Sequence, residues 1–345
     1  MTQSRVRAAF DVPVRMSPVS DLTSTSPNGR LASVDVYITS QCNRRCTYCF
    51  LPTEFFTSGA RMNMERFAGV VSWSQRNDVG EITLLGGEPS LHPSFADMVA
   101  LASAQGMKVR VVTNGAPRFR RLLSSGAIGP HNLSRVAVSL DTLDEAIQDE
   151  FRGPGAWHDA MAMIGLLGQH EVPFDINVTA IKPVLGGLDD FIAFAEREGC
   201  RRVNIHWPST MGIGSGLSPG QLPGRGEWEA LVGRVESRRE QRPGFFVEIE
   251  RGFLAEGEPL TDCALADFSN LEVMPDGRAY RCGLLVDQPE MASLSMAADM
   301  LLVTRPGYGE EVLRSMLHSC DGCPVKQADG RRACIYDKAS SASPD

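Results

Sequence analysis

Three cysteines lie close together in the segment SQCNRRCTYCF, at Cys42, Cys46 and Cys49. Thiolates are soft ligands that bind iron-sulfur clusters, zinc or Cu(I). A structural zinc site is closed by four ligands, usually from paired cysteines, and no second pair follows nearby. A cubane cluster that is bound by three cysteines leaves one iron open to an exchangeable ligand. The spacing therefore favours such a cluster over zinc.

The remaining composition limits the class of protein. The chain has nine cysteines, of which five fall between residues 263 and 334, and no secretory signal is visible, so we expect reduced thiols for metal or redox work. Cys200 stands alone before an apolar run and is expected to be buried. The net charge of −8 argues against nucleic acid as a partner, and no apolar run reaches a membrane-spanning length. We expect a cytoplasmic protein.

Short β-rich runs alternate with helical patterns between residues 31 and 240. Strands are predicted at 34–39, 81–85, 108–113, 135–140, 175–181 and 202–207, and helices at 64–77, 94–106, 119–125, 160–170, 188–199 and 227–240. This alternation is typical of βαβ units around a parallel sheet. Six such units fit either a partial barrel or a doubly wound sheet.

The two ends of the chain have a different pattern. Residues 1–30 are rich in Ser, Thr, Pro and Arg without periodicity, and we expect an N-terminal arm. After residue 240, FFVEIERG and LEVMPDGRAYRC are predicted strands around a Pro-Asp-Gly turn. Together with the five cysteines they indicate a second, smaller domain over residues 241–338. The tail, residues 339–345, is expected to be disordered.

Polar or glycine-rich residues follow each predicted strand of the core. Ligands of parallel α/β proteins bind beyond the carboxyl ends of the strands. These ends carry the three cysteines, Gly86-Gly87-Glu88-Pro89, Asn114-Gly115, Ser139-Leu140-Asp141, Lys182-Pro183 and His206-Trp207. We therefore predict one active site that is assembled from several strands.

The Cys-x3-Cys-x2-Cys run, with Tyr48 before its last cysteine, resembles the radical S-adenosylmethionine (AdoMet) superfamily. The GGEP sequence after the second strand, Thr113-Asn114-Gly115 and Ser139-Leu140-Asp141 follow in the expected order, so the resemblance covers roughly residues 31–240. It implies an α/β fold, a partial (β/α)6 TIM barrel. It also implies that the three cysteines bind a [4Fe-4S] cluster, whose open iron chelates the amino and carboxylate groups of AdoMet.

The resemblance further implies a set of AdoMet contacts. These are Gly86, Gly87 and Glu88 to the amino group, Ser139 and Asp141 to the ribose or methionine end, Arg152 to the carboxylate, Tyr48 near the adenine, and Asn114 at the same rim. His206 is a candidate for substrate contact, and a structural histidine is an equal alternative. Arg44 and Arg45 are expected to be solvated or to screen the charge of the cluster.

The second unit resembles the SPASM/twitch extension of the same superfamily. The resemblance rests on Cys263, on VMPDGRAYRC with Cys282 at its end, and on the pair Cys320 and Cys323. The full SPASM pattern has seven cysteines, whereas this unit has five, so the shorter twitch type fits better. It implies a small β-hairpin/α domain in which those four cysteines bind an auxiliary [4Fe-4S] cluster. Cys334 is left over, and it replaces a ligand, acts as a catalytic thiol or is simply buried.

The chemistry that the resemblance implies starts with an electron from a donor such as flavodoxin or ferredoxin. AdoMet is then cleaved to a 5′-deoxyadenosyl radical, which takes hydrogen from an unactivated C–H of a small natural-product or peptide substrate. An auxiliary cluster that accepts a second electron predicts net oxidation, by dehydrogenation or crosslinking. Cys334 as a hydrogen donor would instead predict redox-neutral epimerisation.

Other functions stay open at this stage. A ribosomal-peptide maturase is one, although the short stretch before residue 31 leaves little room for a leader-binding domain and favours a small substrate or short peptide. An electron carrier without turnover is disfavoured, because carriers close their clusters with four ligands. An enzyme that modifies nucleic acid is disfavoured by the acidic charge.

Overall fold

The computed structural model describes residues 17–18, 31, 33–241, 245–250, 270–286, 292, 294–297 and 299–303. The strands are β1 (Ser17–Pro18), β2 (Ser33–Thr39), β3 (Glu81–Gly86), β4 (Lys108–Thr113), β5 (Arg135–Ser139), β6 (Phe174–Thr179), β7 (Arg202–His206), β8 (Phe246–Ile249), β9 (Glu272–Val273), β10 (Arg278–Tyr280), β11 (Leu294–Ala297) and β12 (Met300–Val303). The helices are α1 (Thr53–Thr57), α2 (Met64–Arg76), α3 (Phe95–Ala104), α4 (Pro117–Ser124), α5 (Glu145–Arg152), α6 (Ala156–Gln169), α7 (Leu188–Arg197) and α8 (Arg225–Gln241).

Strands β2 to β8 lie side by side in chain order, and each is parallel to the next. A doubly wound sheet reverses its strand order at a switch point, whereas a β/α barrel adds every strand beside the previous one. The order therefore confirms the partial barrel and excludes the doubly wound alternative. The barrel is open, because β2 pairs with β9 on the side away from β3 and does not pair with β8, which would close the barrel.

The two faces of this sheet differ in chemistry because side chains alternate along a strand. One face is apolar: Val36, Val136 and Val203 are fully buried in the main core, together with helix residues such as Phe67 and Phe191. The alternate positions are mostly polar. Helices cover the apolar face, and the polar face lines the inside of the open barrel.

The C-terminal strands extend the same sheet. β9 runs parallel to β2, and β9 to β12 then pair with one another in antiparallel order. The predicted Pro-Asp-Gly turn joins β9 to β10, with Gly277 at a φ of 93°, a conformation that glycine adopts without strain. The predicted hairpin is confirmed, and it docks directly onto the first strand of the barrel.

One sequence prediction is corrected by the strand pairing. FFVEI was assigned to the second domain, but β8 pairs in parallel with β7, so the parallel sheet has a seventh strand beyond residue 240. A strand of four residues shows no periodicity, and its partner is set by tertiary contacts.

The segment 1–30 was expected to be an arm. Its described residues, Ser17–Pro18, form β1 and pair with β12, and the rest of that segment lies outside the described residues.

Some expectations fall on residues outside the described part of the chain. They concern the tail after residue 338 and the cysteines Cys263, Cys320, Cys323 and Cys334. Within the described residues, no helix has both the length and the apolar composition needed to cross a bilayer.

The two faces of β7 can be tested with adjacent substitutions. Val203→Asn places an amide in the apolar layer under the helices and should lower the free energy of unfolding by about 3 kcal/mol. Asn204→Val removes one hydrogen bond to Asn177 on the inner face and should cost about 1 kcal/mol. Urea denaturation followed by circular dichroism measures both, and equal losses would contradict the assignment of the two faces.

Candidate active site

The cysteine loop leaves β2 at the carboxyl end of the strands, as predicted. Cys42, Cys46 and Cys49 are half-buried and carry free thiols. The backbone N–H of Cys49 donates to the carbonyl of Cys46 at 3.2 Å, and the N–H of Gly214 donates to the carbonyl of Cys49 at 2.9 Å. The loop is thus closed on itself and held from below by the segment that follows β7.

Burial raises the pKa of Cys42 and of Cys49 to about 12, and the nearby Cys46 contributes to both shifts. Burial also raises the pKa of Cys46. All three are therefore protonated at neutral pH in the apo-protein, and cluster binding must release these protons. Because the folded pKa lies above the unfolded value of 9.0, the free energy of unfolding falls as pH rises from 9.0 towards about 12.

The donor set fits a polynuclear cluster. Three free thiols share one loop, in which the Cys49 N–H donates to the Cys46 carbonyl at 3.2 Å. In the described part of the chain, no three His, Cys, Asp or Glu side chains surround a point where a single metal ion could bind. A cubane has no need of such a point, since each thiolate binds a different iron.

Gly86 and Gly87 bring the end of β3 against the cysteine loop. A Cβ atom at Gly86 would lie 2.4 Å from the carbonyl oxygen of Thr39, and one at Gly87 would lie 2.7 Å from the Cβ of Cys42. The N–H of Gly87 donates to Thr39 and that of Glu88 donates to Gln41. These glycines were predicted to let AdoMet approach the backbone; in the structure they also seat the first cysteine.

The Glu88 side chain lies fully buried between β3 and β4. Its carboxylate accepts hydrogen bonds from the Ser90 hydroxyl at 2.7 Å, the Asn114 N–H at 2.9 Å and the Thr113 hydroxyl at 3.0 Å. Burial raises the pKa of Glu88, and these donors oppose the shift. Glu88 therefore ties two strand ends together beneath the loop, and its predicted contact with AdoMet stays a prediction.

Asp141, Arg152 and Tyr48 form one buried network. Arg152 donates from Nε and Nη2 to the two carboxylate oxygens of Asp141, at 2.7 and 2.8 Å. The Tyr48 hydroxyl donates to the same carboxylate, and the Thr179 N–H donates to it at 2.8 Å. The Arg152 guanidinium also lies 5.2 Å from the centre of the Tyr48 ring. Three residues predicted to bind AdoMet are thus brought together, bound to one another.

Arg152 reaches this network from helix α5, which the sequence reasoning did not predict. Asp144 caps the helix by accepting the Ile147 N–H at 3.1 Å, and Gly153 ends it at a φ of 98°. The Asp144 cap and the Gly153 stop were the available sequence signals. Gln148 on the same helix accepts the Asp141 N–H at 2.9 Å, which fixes the end of β5 as well.

Asn114 and Ser139 occupy the predicted rim in different ways. The Asn114 side chain donates to Asn43 at 3.0 Å and lies 3.8 Å from the Cys42 sulfur, while its buried Oδ1 has no partner among the described residues. Such an oxygen can accept a donor from a bound ligand. Ser139 is half-buried at the end of β5, beside Asn177 on β6.

A glycine-rich segment that the sequence reasoning missed lies under the cysteine loop. A Cβ atom at Gly212 would meet the Phe50 carbonyl at 2.2 Å, and one at Gly214 would meet the Ser209 carbonyl at 2.2 Å. The spacing GIGSG after the sixth predicted strand was the available signal. These glycines let the chain after β7 pass directly beneath the last cysteine.

His206 lies at the end of β7, and its ring is paired. Its Nδ1 lies 2.9 Å from Oε1 of Glu250, whose other oxygen accepts the Trp207 N–H at 3.1 Å. Further down the inner face, the Asn204 amide donates to the Asn177 oxygen at 2.8 Å. The inner wall is therefore a hydrogen-bonding surface, with His206 half-exposed at its top.

Cys282 lies at the end of the docked hairpin. It is half-buried and packs against the same apolar cluster as Cys42 and Cys49, a cluster that includes Tyr37 and Leu51. Next to it, burial and the neighbouring Asp35 raise the pKa of Glu272 well above its usual value. The hairpin therefore places one predicted auxiliary ligand on the side of the cysteine loop, while the other three lie outside the described residues.

The model of the radical SAM superfamily matches residues 36–193, which include the cysteine loop and the ends of β2 to β6. An AdoMet-dependent heme synthase of Nitratidesulfovibrio vulgaris is 28% identical over 225 residues, 61% of this chain and 56% of that protein. The PqqA peptide cyclase of Rhizobium meliloti is 22% identical over 211 residues, with the same coverage of 61% and 56%. The chain thus spans about half the length of these curated relatives.

A solved structure of anSMEcpe, with bound AdoMet and a peptide, is similar along nearly its whole length. The TM-score is 0.60 at 16% identity, and the match covers 89% of this chain and 94% of that one. At this identity the likeness shows the fold, and it agrees with the α/β partial barrel described above.

The role of Gly87 can be tested by adding one methyl group. Gly87→Ala should push the loop at Gln41 and Cys42 outwards, since its Cβ would lie 2.4 Å from the Gln41 carbonyl, and iron bound after anaerobic reconstitution should fall by at least half. Gly165→Ala is the control, because a Cβ there meets nothing within 4 Å. Iron assay and visible absorption measure the result, and full iron in Gly87→Ala would contradict the seating role.

Proposed function

We propose that this protein is a radical enzyme of the radical SAM superfamily, whose model matches residues 36–193, and that it cleaves AdoMet reductively and oxidises a peptide or a peptide-like natural product. The observation that carries the proposal is the cysteine loop: three free, half-buried thiols seated by two glycines at the carboxyl ends of parallel strands. The likeness to a peptide cyclase, the PqqA peptide cyclase of Rhizobium meliloti, supports the substrate class.

Cys42, Cys46 and Cys49 would hold a [4Fe-4S] cluster, and the rim formed by Gly86, Gly87 and Asn114 would face AdoMet. When AdoMet is bound and the cluster is reduced, the two together would supply a carbon-centred radical that can take hydrogen from an unactivated C–H bond. The protein contributes seating and charge. Near the loop, the positive charges of Arg44 and Arg152 lower the pKa of Cys46 against the dominant effect of burial, and so favour its thiolate.

The Asp141–Arg152–Tyr48 network would orient AdoMet from beside the cysteine loop, of which Tyr48 is a part. Arg152 is 7% exposed, and its guanidinium is aligned by two hydrogen bonds to one carboxylate. A preorganised arginine of this kind binds a second carboxylate without losing side-chain freedom. Because Tyr48 belongs to the cysteine loop and donates to Asp141, it would keep the distance between the cysteines and Arg152 constant.

The inner wall of the barrel fits a substrate that is rich in amide groups. Asn204 and Asn177 share one hydrogen bond, which leaves the Asn177 amide N–H groups to donate and the Asn204 oxygen to accept. A peptide unit offers one acceptor and one donor in the same plane and can satisfy both. His206, held by Glu250, would contact the substrate above this pair.

An auxiliary [4Fe-4S] cluster would take the second electron. Cys282 stands on the side of the cysteine loop, within the apolar cluster that also contacts Cys49. Cys263, Cys320 and Cys323 would complete the ligand set. Electrons for the first cluster would come from a carrier such as flavodoxin or ferredoxin.

The three cysteines provide the central test. Replacing Cys42, Cys46 and Cys49 by Ala should remove about four irons per chain and all formation of 5′-deoxyadenosine from AdoMet and dithionite. Cys200→Ala is the control, since Cys200 is buried just before the start of β7, at the amino ends of the strands, and donates to the Arg202 carbonyl at 3.0 Å. Formation of 5′-deoxyadenosine by the triple variant would refute the proposal.

The redox outcome is tested in deuterated water. Net oxidation predicts a product lighter than the substrate by two hydrogens and free of solvent deuterium. It also predicts that Cys334→Ala keeps its iron and its product. One deuterium in a product of otherwise unchanged mass, together with loss of that product in Cys334→Ala, would indicate epimerisation instead. High-resolution mass spectrometry separates the two.

A further inference from the structure

Arg44 and Arg45 follow the first cysteine, and their surroundings differ sharply. The Arg44 side chain is only 9% exposed; it donates to the carbonyl of Gly153 at 3.2 Å and to that of Pro154, and it pairs with the Asp159 carboxylate. Arg45 is exposed, and its guanidinium lies 4.6 Å from the centre of the Phe56 ring. Among the described residues it donates only within the loop, to the carbonyls of Cys42 at 3.0 Å and Arg44 at 2.7 Å, and so does not join the loop to the segment after Arg152. Of the two roles expected for these arginines, solvation does not describe Arg44, and screening of the cluster charge stays a prediction.

The segment that Arg44 contacts begins directly after Arg152. The cysteine loop also contacts Phe151, the residue before Arg152. The Thr47 N–H donates to the Phe151 carbonyl at 2.9 Å, and the Tyr48 ring stacks on the Phe151 ring with 6.5 Å between the ring centres. Arg44 thus binds the loop to the backbone next to the arginine predicted to receive the AdoMet carboxylate.

Asp159, the residue with which Arg44 pairs, is itself held by further contacts. Asp159 sits in the first turn of α6, where a carboxylate is favoured by the helix dipole, and it also pairs with Arg120 at 3.0 Å. Arg120 donates in addition to the Asp159 carbonyl at 3.2 Å. The Asp149 carboxylate accepts the Trp157 N–H at 2.9 Å and so secures the turn between α5 and α6. A displacement of Arg44 would therefore move the loop and leave α6 in place.

We infer that Arg44 is a positioning residue that sets the separation between the cysteine loop and Arg152. This inference rests on the proposed function. AdoMet would be held at two points, at the open iron through its amino and carboxylate groups and at Arg152 through the carboxylate. Two-point binding is tight only when the separation of the points matches the ligand. A planar, five-donor guanidinium can span two carbonyls and a carboxylate together, which a lysine ammonium cannot do with the same geometry.

The test compares two adjacent, identical charge changes in the reconstituted holoenzyme. Arg44→Gln should keep its iron but weaken AdoMet binding roughly tenfold, the effect of losing a charge-assisted contact. It should also reduce the change that AdoMet produces in the electron paramagnetic resonance spectrum of the reduced cluster. Arg45→Gln, the matched control, should stay within about twofold of the wild type. Arg44→Lys should lie between wild type and Arg44→Gln.

The outcomes separate positioning from simple electrostatics. Equal weakening in Arg44→Gln and Arg45→Gln would overturn the inference, because charge alone would then account for the effect. Wild-type affinity in Arg44→Gln would overturn it as well. If Arg44→Gln does not fold, Asp159→Ala removes the carboxylate that Arg44 contacts and leaves the sequence of the loop unchanged. It should weaken AdoMet binding while keeping iron; unchanged affinity there refutes the inference. A wild-type protein that binds no cluster would instead refute the proposed function.

Discussion

The bidentate ion pair between Arg152 and Asp141 is the interaction on which the site depends. It joins the carboxyl end of β5, helix α5, the cysteine loop through Tyr48 and the end of β6 through the Thr179 N–H. Removing one partner of a buried pair leaves an uncompensated charge, which costs about 3–5 kcal/mol. The Asp141 carboxylate thus holds four chain segments together, so a ligand that binds beside them would contact side chains that are already fixed in position.

Small residues provide the second constraint. Gly86, Gly87, Gly212 and Gly214 stand where the backbone passes within contact distance of the cysteine loop from two sides. Side chains there would push the loop away from the strand ends. The loop is consequently clamped between the segments after β3 and β7, and its three thiols stay half-buried. This arrangement can hold a cluster and still leave one side open to AdoMet and a substrate.

The open barrel places these parts in a useful order. Helices cover the apolar face of the sheet. The inner face is polar and carries the hydrogen-bonded pairs Asn177–Asn204 and His206–Glu250. The C-terminal hairpin docks on the first strand and places Cys282 against the apolar cluster that Cys42 and Cys49 also contact. The proposed radical chemistry needs a reactive carbon held near its target, and the polar wall beneath the cysteine loop fits that requirement.

Most of the fold was predictable from the sequence, because hydrophobic periodicity and glycine positions are local properties. The six predicted strands of the core are found within two residues of their predicted ends, and the cysteine spacing pointed to the loop and its chemistry. Helix α5 and the pairing of β8 were missed, since a two-turn helix and a four-residue strand carry too little pattern.

The contacts within the site were beyond sequence reasoning for a physical reason. Arg44 meets Asp159 across 115 residues, Glu88 meets Thr113 across 25, and His206 meets Glu250 across 44. Which side chains meet depends on where each loop leaves the sheet and how closely glycines let it return. Residue types and spacing thus predicted the chemistry proposed for this chain, whereas packing of the loops selected the partners of Arg44, Glu88 and Arg152.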